Sequence, residues 1–437
     1  MTDRVPLVAS LRVTATRIDV EPAPWMMGRF ARCAFFAEYD APGLDLRTLP
    51  PHLQVVPFLL NVAPIIWATG QQVEVDDLDA DLAAGFANAR EQFRATYPGI
   101  PWDGEIHAKR LVPTWRPPTT TGPTRAVLFS GGTDSTYTSL RHPAPQLLVT
   151  VHGADVSLRN EAGWQVTREH VTAYAAAFGH ANVLVRSNLQ DFLHNTNLGL
   201  LHPLIPEWWT RIQHGLGFTG LAMPVALQRD ATDLLVPSSF QSTENRFWLT
   251  LRAVDDGMAC AGLRVHHDGD VGRQGKADAI VAAARAGRAT PIRVCLGNPQ
   301  DRPNCGACEK CTRTMVNLVV AGADDLRPFG FPHDAASLAV HARTSFRRHR
   351  FRITPGLLLF WQEAQRAAKE RVPNPAPGTV HAWLAGFDPA AYKRLHDRFR
   401  KPKLLASRVL ARFDLLGVAR RVRYRLRGDY ADPSGYR

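Results

Sequence analysis

The residues best suited to chemistry in this chain lie within the stretch RAVLFSGGTDSTYTSL, residues 125–140. A short apolar run ends on two glycines flanked by hydroxyls and a carboxylate, and a helical pattern follows directly. Glycines let a backbone approach an anion closely, and the amides of a first helical turn point toward such an anion. The pattern predicts a loop that cradles a phosphate, with an empty glycine turn as the alternative. The expected contacts are Ser130, Gly131, Gly132, Thr133, Asp134 and Ser135.

Asp134 is the unusual member of this loop, because a carboxylate repels phosphate unless a cation lies between them. A Mg²⁺ ion would remove the conflict, with Asp134 as a direct or water-mediated ligand. The loop is not the Walker pattern, which places a lysine before the final Ser or Thr. The loop therefore predicts a phosphate and a Mg²⁺ ion without identifying the phosphate compound.

A second chemical pattern is a cluster of thiols with the spacing Cys-x9-Cys-x2-Cys-x2-Cys, formed by Cys295, Cys305, Cys308 and Cys311. Four thiolates from one loop suit a closed, tetrahedral, structural zinc site. An iron–sulfur cluster is the alternative. Zinc is favoured because the fourth cysteine lies upstream and no Cys-Pro follows. The remaining cysteines, Cys33 and Cys260, are expected to be ordinary buried thiols.

Together the two motifs resemble the 7-cyano-7-deazaguanine synthase family, a branch of the adenine nucleotide alpha-hydrolases with a PP-loop that binds the pyrophosphate of ATP. The resemblance covers about residues 125–320. It implies ATP on Ser130–Ser135 and zinc on the four cysteines. It also implies that Lys276, in RQGKADAIV, binds phosphate or stabilises the charge of departing pyrophosphate. A solvated lysine at a helix start is the alternative for Lys276.

The chain departs from that family where the substrate would be recognised. The family's Tyr-Gly-Gln and Pro-Gly-Arg-Asn motifs are replaced by VHGADVS and RIQHGLGFTGLAMPVAL, and SSFQSTENRFW lacks the family's usual acidic and aromatic residues. The chemistry therefore transfers better than the substrate. His152 is expected beside ATP. The substrate pocket is expected to include Asn188, His214, Gln241, Glu244, Asn245 and Arg273, each with a purely structural role as the alternative.

The function implied by the resemblance is an ATP-dependent carbon–nitrogen ligase that forms AMP. A small-molecule carboxylate, similar to 7-carboxy-7-deazaguanine, would be adenylated with release of pyrophosphate and passed to a nitrogen nucleophile. Ammonia would give an amide or nitrile, and a protein amine would give a conjugate. One alternative is a tRNA-modifying, thiolase-like enzyme, for which Cys260 is the nucleophile available. Another is a non-catalytic nucleotide-binding subunit of a larger complex.

The elements that must position these residues alternate between short strands and helices from Arg125 onward. Apolar runs at RAVLFS, PQLLVTVHG, ANVLVRSN, TDLLVPSSF and TPIRVCLG are separated by helical patterns. Such alternation predicts an α/β fold with a doubly wound parallel sheet, and ligands beyond the carboxyl ends of its strands. We expect an N-terminal α+β accessory domain at 1–115, a PP-loop ATP pyrophosphatase domain at 125–320 and a basic helical C-terminal region at 321–437.

Charge distinguishes that C-terminal region from the rest of the chain. The formal net charge is +12, and residues 341–437 contain 22 Lys and Arg against 7 Asp and Glu. The basic region could contact nucleic acid, an acidic protein or a membrane surface. The most apolar window, residues 53–68, is short for a membrane span, and no secretory signal is evident. We therefore expect a cytoplasmic protein without a transmembrane segment, with a homodimer as one possible assembly.

Overall fold

The structure, a computed structural model, describes residues 4–117, 122–202, 205, 207–241, 250–288, 291–348 and 350–398. Two of the expected pocket residues, Glu244 and Asn245, lie outside the described residues. So does the end of the basic C-terminal region, residues 399–437.

The strands include both long sheet members and short edge pieces. They are β1 (Val5–Pro6), β2 (Val8–Val13), β3 (Arg17–Pro22), β4 (Phe35–Asp40), β5 (Gln72–Asp79), β6 (Glu105–Val112), β7 (Arg125–Leu128), β8 (Leu147–His152), β9 (Ala181–Ser187), β10 (Asp233–Pro237), β11 (Ala259–Cys260) and β12 (Leu263–Asp268).

The helices connect these strands and then continue alone toward the C-terminus. They are α1 (Pro51–Gln54), α2 (Val56–Thr69), α3 (Ala80–Thr96), α4 (Thr133–Arg141), α5 (Glu161–Phe178), α6 (Asn195–Leu198), α7 (His214–Gln228), α8 (Arg252–Asp255), α9 (Arg273–Arg285), α10 (Glu309–Val320), α11 (Ala335–Arg347), α12 (Pro355–Arg371), α13 (Val380–Gly386) and α14 (Pro389–Arg398).

The chain is a mixed α/β protein built on a nine-stranded sheet in the order β11-β12-β10-β7-β8-β9-β4-β3-β2. Its central strands β12, β10, β7, β8 and β9 are parallel, and strands at both ends are antiparallel. The strand order reverses at β7, which pairs with β8 on one side and β10 on the other. In doubly wound sheets such a reversal opens a crevice at the carboxyl ends of the strands.

Helices cover both faces of the parallel strands. Val127 and Leu235 point toward α5, where they pack with Tyr174. Ala126 and Leu234 point to the opposite face and belong to the large core that includes α7 and α2. Strands buried on both faces explain why their sequences are continuously apolar.

One expected strand is wrong. Residues 291–297, from the run TPIRVCLG, are not in a strand, and β12 occupies the edge position of the parallel array instead. The amide of Arg293 donates to the Gly131 carbonyl at 2.7 Å and that of Ile292 donates to the Phe329 carbonyl at 3.1 Å. Because its backbone bonds go to loops, the apolar run cannot join a ladder. The sequence LRVHHD of β12 has a polar second half, which concealed its strand character.

The N-terminal segment is joined to the central sheet. Strands β2, β3 and β4 extend the sheet through antiparallel pairing of β4 with β9. A separate three-stranded sheet contains β1, β5 and β6 in parallel. The expected boundary near residue 115 therefore crosses a continuous sheet, because hydrogen bonds between distant strands are not visible in a local pattern.

The C-terminal helices have their own aromatic core. Phe346 of α11 lies 5.0 Å from Trp361 of α12 and 4.5 Å from Phe387, measured between ring centroids. Helix α12 also packs against α9 and α10 of the α/β part. No helix among the described residues has both the length and the apolar character needed to cross a bilayer.

Candidate active site and metal centre

The glycine loop lies at the carboxyl end of β7, where the strand order reverses. Gly131 has a φ of +71°, a conformation that L side chains rarely adopt. Helix α4 follows, and within the described part of the chain no side chain caps it at Gly132. The buried Thr133 hydroxyl, at the first helical position, has no hydrogen-bond partner among the described residues. Uncapped amides and an unsatisfied hydroxyl at a helix start are suited to binding an anion.

Two hydroxyls and a histidine support this loop from inside. The Ser130 and Ser135 hydroxyls lie 3.4 Å apart, and Ser135 Oγ also accepts from the Ser130 amide at 3.3 Å. A Cβ added at Gly131 would lie 2.4 Å from His170 Nε2. Burial, together with the nearby Arg293 charge, lowers the pKa of His170 to about 4. The imidazole under the loop is therefore neutral at physiological pH.

Asp134 joins the loop to the start of α9. One of its oxygens lies 2.9 Å from Lys276 Nζ and the other lies 2.9 Å from an Arg273 guanidinium nitrogen. Lys276 also donates to the Ser238 carbonyl at the end of β10. The two positions expected from sequence for catalysis, Asp134 and Lys276, thus meet, and Arg273 joins them.

Electrostatics decide the charge states in this cluster. Burial by itself would raise the pKa of Asp134, but Arg273 and Lys276 outweigh it and hold that pKa below its ordinary value. Burial lowers the pKa of Lys276 because Asp134 compensates only part of the desolvation. A buried charge that loses its partner would be strongly unfavourable, so these three residues must be treated as one unit.

The expected role of Asp134 as a direct or water-mediated Mg²⁺ ligand stays a prediction. Both carboxylate oxygens of Asp134 are taken up by cationic side chains. In the structure, Asp134 holds Arg273 and Lys276 beside the loop.

The four cysteines converge as expected. The sulfur atoms of Cys295, Cys305, Cys308 and Cys311 all lie within 4.8 Å of one another. Cys305 Sγ accepts the amides of Ala307 and Cys308 at 3.4 and 3.3 Å. Hydrogen bonds to Cys305, from the Cys295 thiol above all, lower its pKa far below the ordinary value, which favours the thiolate. This donor set could hold a metal ion and is compatible with zinc.

The cysteine loop is attached directly to the glycine loop. Asn298 donates to the Asp155 carbonyl at 2.7 Å and its own carbonyl accepts from Asn160 at 3.2 Å. Arg293, two residues before Cys295, bonds to Gly131 as described above. The cysteine cluster and the glycine loop therefore belong to one hydrogen-bonded edge.

The remaining expected residues have mixed placements. His152 ends β8, stacks on Trp164 at 4.5 Å between centroids and contacts the Ser157 carbonyl through Nε2 at 3.1 Å. The Asn188 amide is used structurally, because it accepts from the Phe36 amide and donates to the Ala34 carbonyl, both at 2.8 Å. These bonds attach β4 to the end of β9 and leave no support for a substrate contact by Asn188.

The structure places His214 and Gln241 on different parts of the fold. His214 begins α7 and lies in an aromatic group, 5.0 Å from Trp209 and 4.7 Å from Phe218 between centroids. Gln241 follows β10 at the border of the described residues. Both stay predictions as pocket residues.

Sequence reasoning missed several residues at this edge. Lys310 lies between Cys308 and Cys311 and is half-buried. Burial lowers its pKa, and the charges of Asp155 and Asp134 oppose that shift in part. Its position within CEKC was the available signal. From α12, Glu363 and Phe360 reach the start of α9. Nothing local in the sequence could have revealed these two, because their partners lie about 90 residues away.

The two other cysteines differ from each other. Cys260 is buried as expected, and burial raises its pKa well above the ordinary value. The expectation that Cys33 is buried is wrong, because it is exposed two residues before β4.

In comparisons with known proteins, no family model, curated protein or solved structure matches this chain.

Proposed function

We propose that this protein is an ATP-dependent carbon–nitrogen ligase that adenylates a carboxylate, releases pyrophosphate and transfers the acyl group to a nitrogen nucleophile. The observation that carries the proposal is the uncapped Ser130–Ser135 loop at the strand-order reversal, with Arg273 and Lys276 held beside it by Asp134. This is the placement expected of a PP-loop ATP pyrophosphatase, in which the loop would bind the β- and γ-phosphates of ATP.

The reaction would proceed in two displacements. A substrate carboxylate oxygen attacks the α-phosphorus, the bond to the bridging oxygen breaks, and pyrophosphate leaves with the electron pair. The nitrogen nucleophile then attacks the acyl carbon and loses a proton, and AMP leaves, which gives an amide. A nitrile would need a second ATP to activate the amide oxygen as a leaving group. The first-turn amides of α4 would stabilise the charge on pyrophosphate, and Lys276 and Arg273 would add positive potential next to it.

The substrate in this proposal is a planar carboxylate of the 7-carboxy-7-deazaguanine type, and the nucleophile is ammonia or an amine of a protein partner. A thiolase-type reaction on tRNA is less well supported. It needs an accessible nucleophilic thiol, whereas Cys260 is buried with a raised pKa. Zinc on the four cysteines would hold the loop edge together and take no part in the displacements.

The test is pyrophosphate release from ATP by purified protein, with and without 7-carboxy-7-deazaguanine and ammonium. We expect release that depends on the carboxylate, and mass spectrometry of the products would separate a nitrile or amide from a protein conjugate. Asp134→Ala should abolish release because it leaves Arg273 and Lys276 unpaired. Asp325→Ala, which removes a surface ion pair with Arg327 at 2.8 Å, is the matched control and should leave the rate unchanged.

Two outcomes would contradict the proposal. ATP binding without pyrophosphate release under any of these conditions would indicate a nucleotide-binding subunit. Release by Asp134→Ala at the rate of the natural chain would remove the Asp134 cluster from the mechanism.

A further inference from the structure

Helix α12 belongs to the C-terminal helical region, beyond the part of the chain that resembles the synthase family, yet it contacts the site. The Glu363 carboxylate accepts the amides of Arg273 and Gln274 at 3.0 and 3.1 Å. These are the first two amides of α9, whose N-cap is Gly272 and which has no cap from its own side chains. Glu363 therefore acts as a helix cap supplied from about 90 residues away.

The approach of Glu363 is close enough to constrain the sequence of its partner. A Cβ added at Gly272 would lie 1.9 Å from the Glu363 carboxylate. A glycine at this position thus makes room for the carboxylate. The negative charge also lies at the positive end of a 13-residue helix, where it is electrostatically favourable.

An aromatic contact from the same helix supports the arginine side chain. The Arg273 guanidinium lies 5.0 Å from the centroid of Phe360, one helical turn before Glu363. Phe240, three residues after β10, stacks on Phe360 at 4.9 Å and 21°. The backbone amide of Arg273 is therefore held by a hydrogen bond to Glu363. Its guanidinium is held by the face of the Phe360 ring and by Asp134.

A second anchor attaches α12 to α9 away from the site. The Arg371 guanidinium makes two bonds to the Asp278 carboxylate, at 2.7 and 2.6 Å. This pair holds the two helices together. Asp278 also accepts from the Gln274 side chain at 3.0 Å, whereas the backbone amides of Arg273 and Gln274 donate to Glu363. Removing the Arg371–Asp278 pair therefore tests the docking of α12 separately from the capping of α9 by Glu363.

We propose that Glu363 is a positioning residue of the active site: by capping α9 it orients Arg273 and Lys276 toward Asp134 and the glycine loop. The inference rests on the proposed function for its kinetic consequence. Its structural part, the orientation of the first turn of α9, is independent of any reaction.

The experiment compares Glu363→Gln with two controls. The glutamine keeps the shape but loses the charge and presents an amide donor to one of the two backbone amides. Glu370→Gln makes the same change at an exposed position of the same helix. Arg371→Gln removes the second anchor. Melting temperatures establish that all three variants fold.

The first readout, hydrogen–deuterium exchange, needs no activity. In Glu363→Gln we expect the amides of residues 273 and 274 to exchange about fivefold faster, as for loss of a helix cap. Neither control should change exchange there. Equal acceleration in Arg371→Gln would overturn the proposal, because docking of α12 alone would then explain the effect.

The second readout is the kinetics of pyrophosphate release. We expect kcat of Glu363→Gln to fall about tenfold through misplacement of Arg273 and Lys276, with KM for ATP within about twofold of the natural chain. An unchanged kcat with changed KM would contradict positioning. If the natural chain releases no pyrophosphate, the proposed function fails, while hydrogen–deuterium exchange still decides whether Glu363 orders α9.

Discussion

Two regions of this molecule contain ion pairs of opposite character. At the glycine loop, the side chains of Lys276 and Asp134 are 1% and 18% exposed. In the small N-terminal sheet, Lys109 on β6 and Asp76 on β5 are 59% and 86% exposed, although their 2.8 Å separation is similar. The distance between charges is therefore a poor guide to their importance. Burial makes the loop cluster an interdependent unit and leaves the N-terminal pairs as solvated surface contacts.

The comparison also applies to what each region can bind. In the N-terminal sheet, oppositely charged side chains on neighbouring strands form ion pairs. The Arg110 guanidinium on β6, for example, lies 2.7 Å from the Asp77 carboxylate on β5. The loop edge has an uncapped helix start and a partly exposed Lys310, so it retains capacity for an anion. Four predictions test this contrast, in order of decreasing effect on stability.

The largest effect is expected from the cysteine cluster. Cys308→Ser should remove one thiol of the cluster while keeping a side-chain acceptor at the N-cap of α10, lowering the free energy of unfolding by more than about 5 kcal/mol and abolishing stoichiometric metal binding. Metal content by mass spectrometry and thermal melting measure both. Cys33→Ser, at an exposed thiol, is the control. Full metal content in Cys308→Ser would remove this residue from the metal centre.

The second-largest effect is expected from removing the charge of the buried Asp134. Asp134→Asn should destabilise the protein by about 3 kcal/mol, because Lys276 and Arg273 keep their charges in a buried site without a counter-charge. Asp76→Asn, the same change in the exposed pair, should give no measurable shift. Denaturant unfolding of both variants measures the difference. Similar losses in the two variants would mean that burial does not separate the regions.

A pH effect follows from His170 beneath the loop. Its folded pKa of about 4 lies below the ordinary histidine value of 6.5, so the unfolded chain binds the proton more readily. This contribution to stability is complete above pH 6.5 and is lost as the pH falls toward 4. At pH 5 the loss is about 2 kcal/mol.

His170→Gln should reduce this pH dependence, because glutamine does not titrate. The measurement is the unfolding free energy at pH 7.5 and pH 5 for both proteins. An equally steep decline in the variant would assign the acid sensitivity to other groups.

The smallest stability effect concerns the loop backbone. Gly131→Ala should cost about 1 to 2 kcal/mol, since its φ of +71° is unfavourable for alanine and the Cβ would contact His170. Gly378→Ala is matched in strain, with a φ of +85°, but has no atom within 4 Å of the added Cβ. Only the Gly131 variant should lose ATP affinity in a fluorescent-nucleotide titration. Equal affinities would show that ATP does not use this loop.

Much of the α/β part was predictable because its signals are local. Helices α3, α5 and α9 and strands β7, β8, β9 and β10 follow from apolar periodicity and turn residues. The strand expected at 291–297 was wrong because its backbone hydrogen bonds go to residues distant in sequence, which local patterns do not show. Its apolar residues are buried, but its amides bond to Gly131 and Phe329 rather than to a neighbouring strand.

The residues of the site likewise divide into those that local sequence predicts and those that depend on distant elements. The glycine loop and the four cysteines are each contained in one short segment, so residue type and spacing were sufficient to locate them. Lys276 was expected near phosphate, but its burial and its bond to Ser238 depend on α4, α9 and β10 meeting. Asn188 was assigned to the pocket because it follows a strand, whereas its partners lie more than 150 residues away on the β4 side.

The amino-acid sequence by itself determined where an anion-binding loop and a thiolate cluster could form, because both depend on a few neighbouring residues. Only the tertiary structure decided which charges surround them. Asp134 meets Arg273 and Lys276 through packing of α4 on α9, and Glu363 reaches α9 through docking of the C-terminal helices. Electrostatic partners are chosen by distance in space and by burial, and neither is encoded in local spacing.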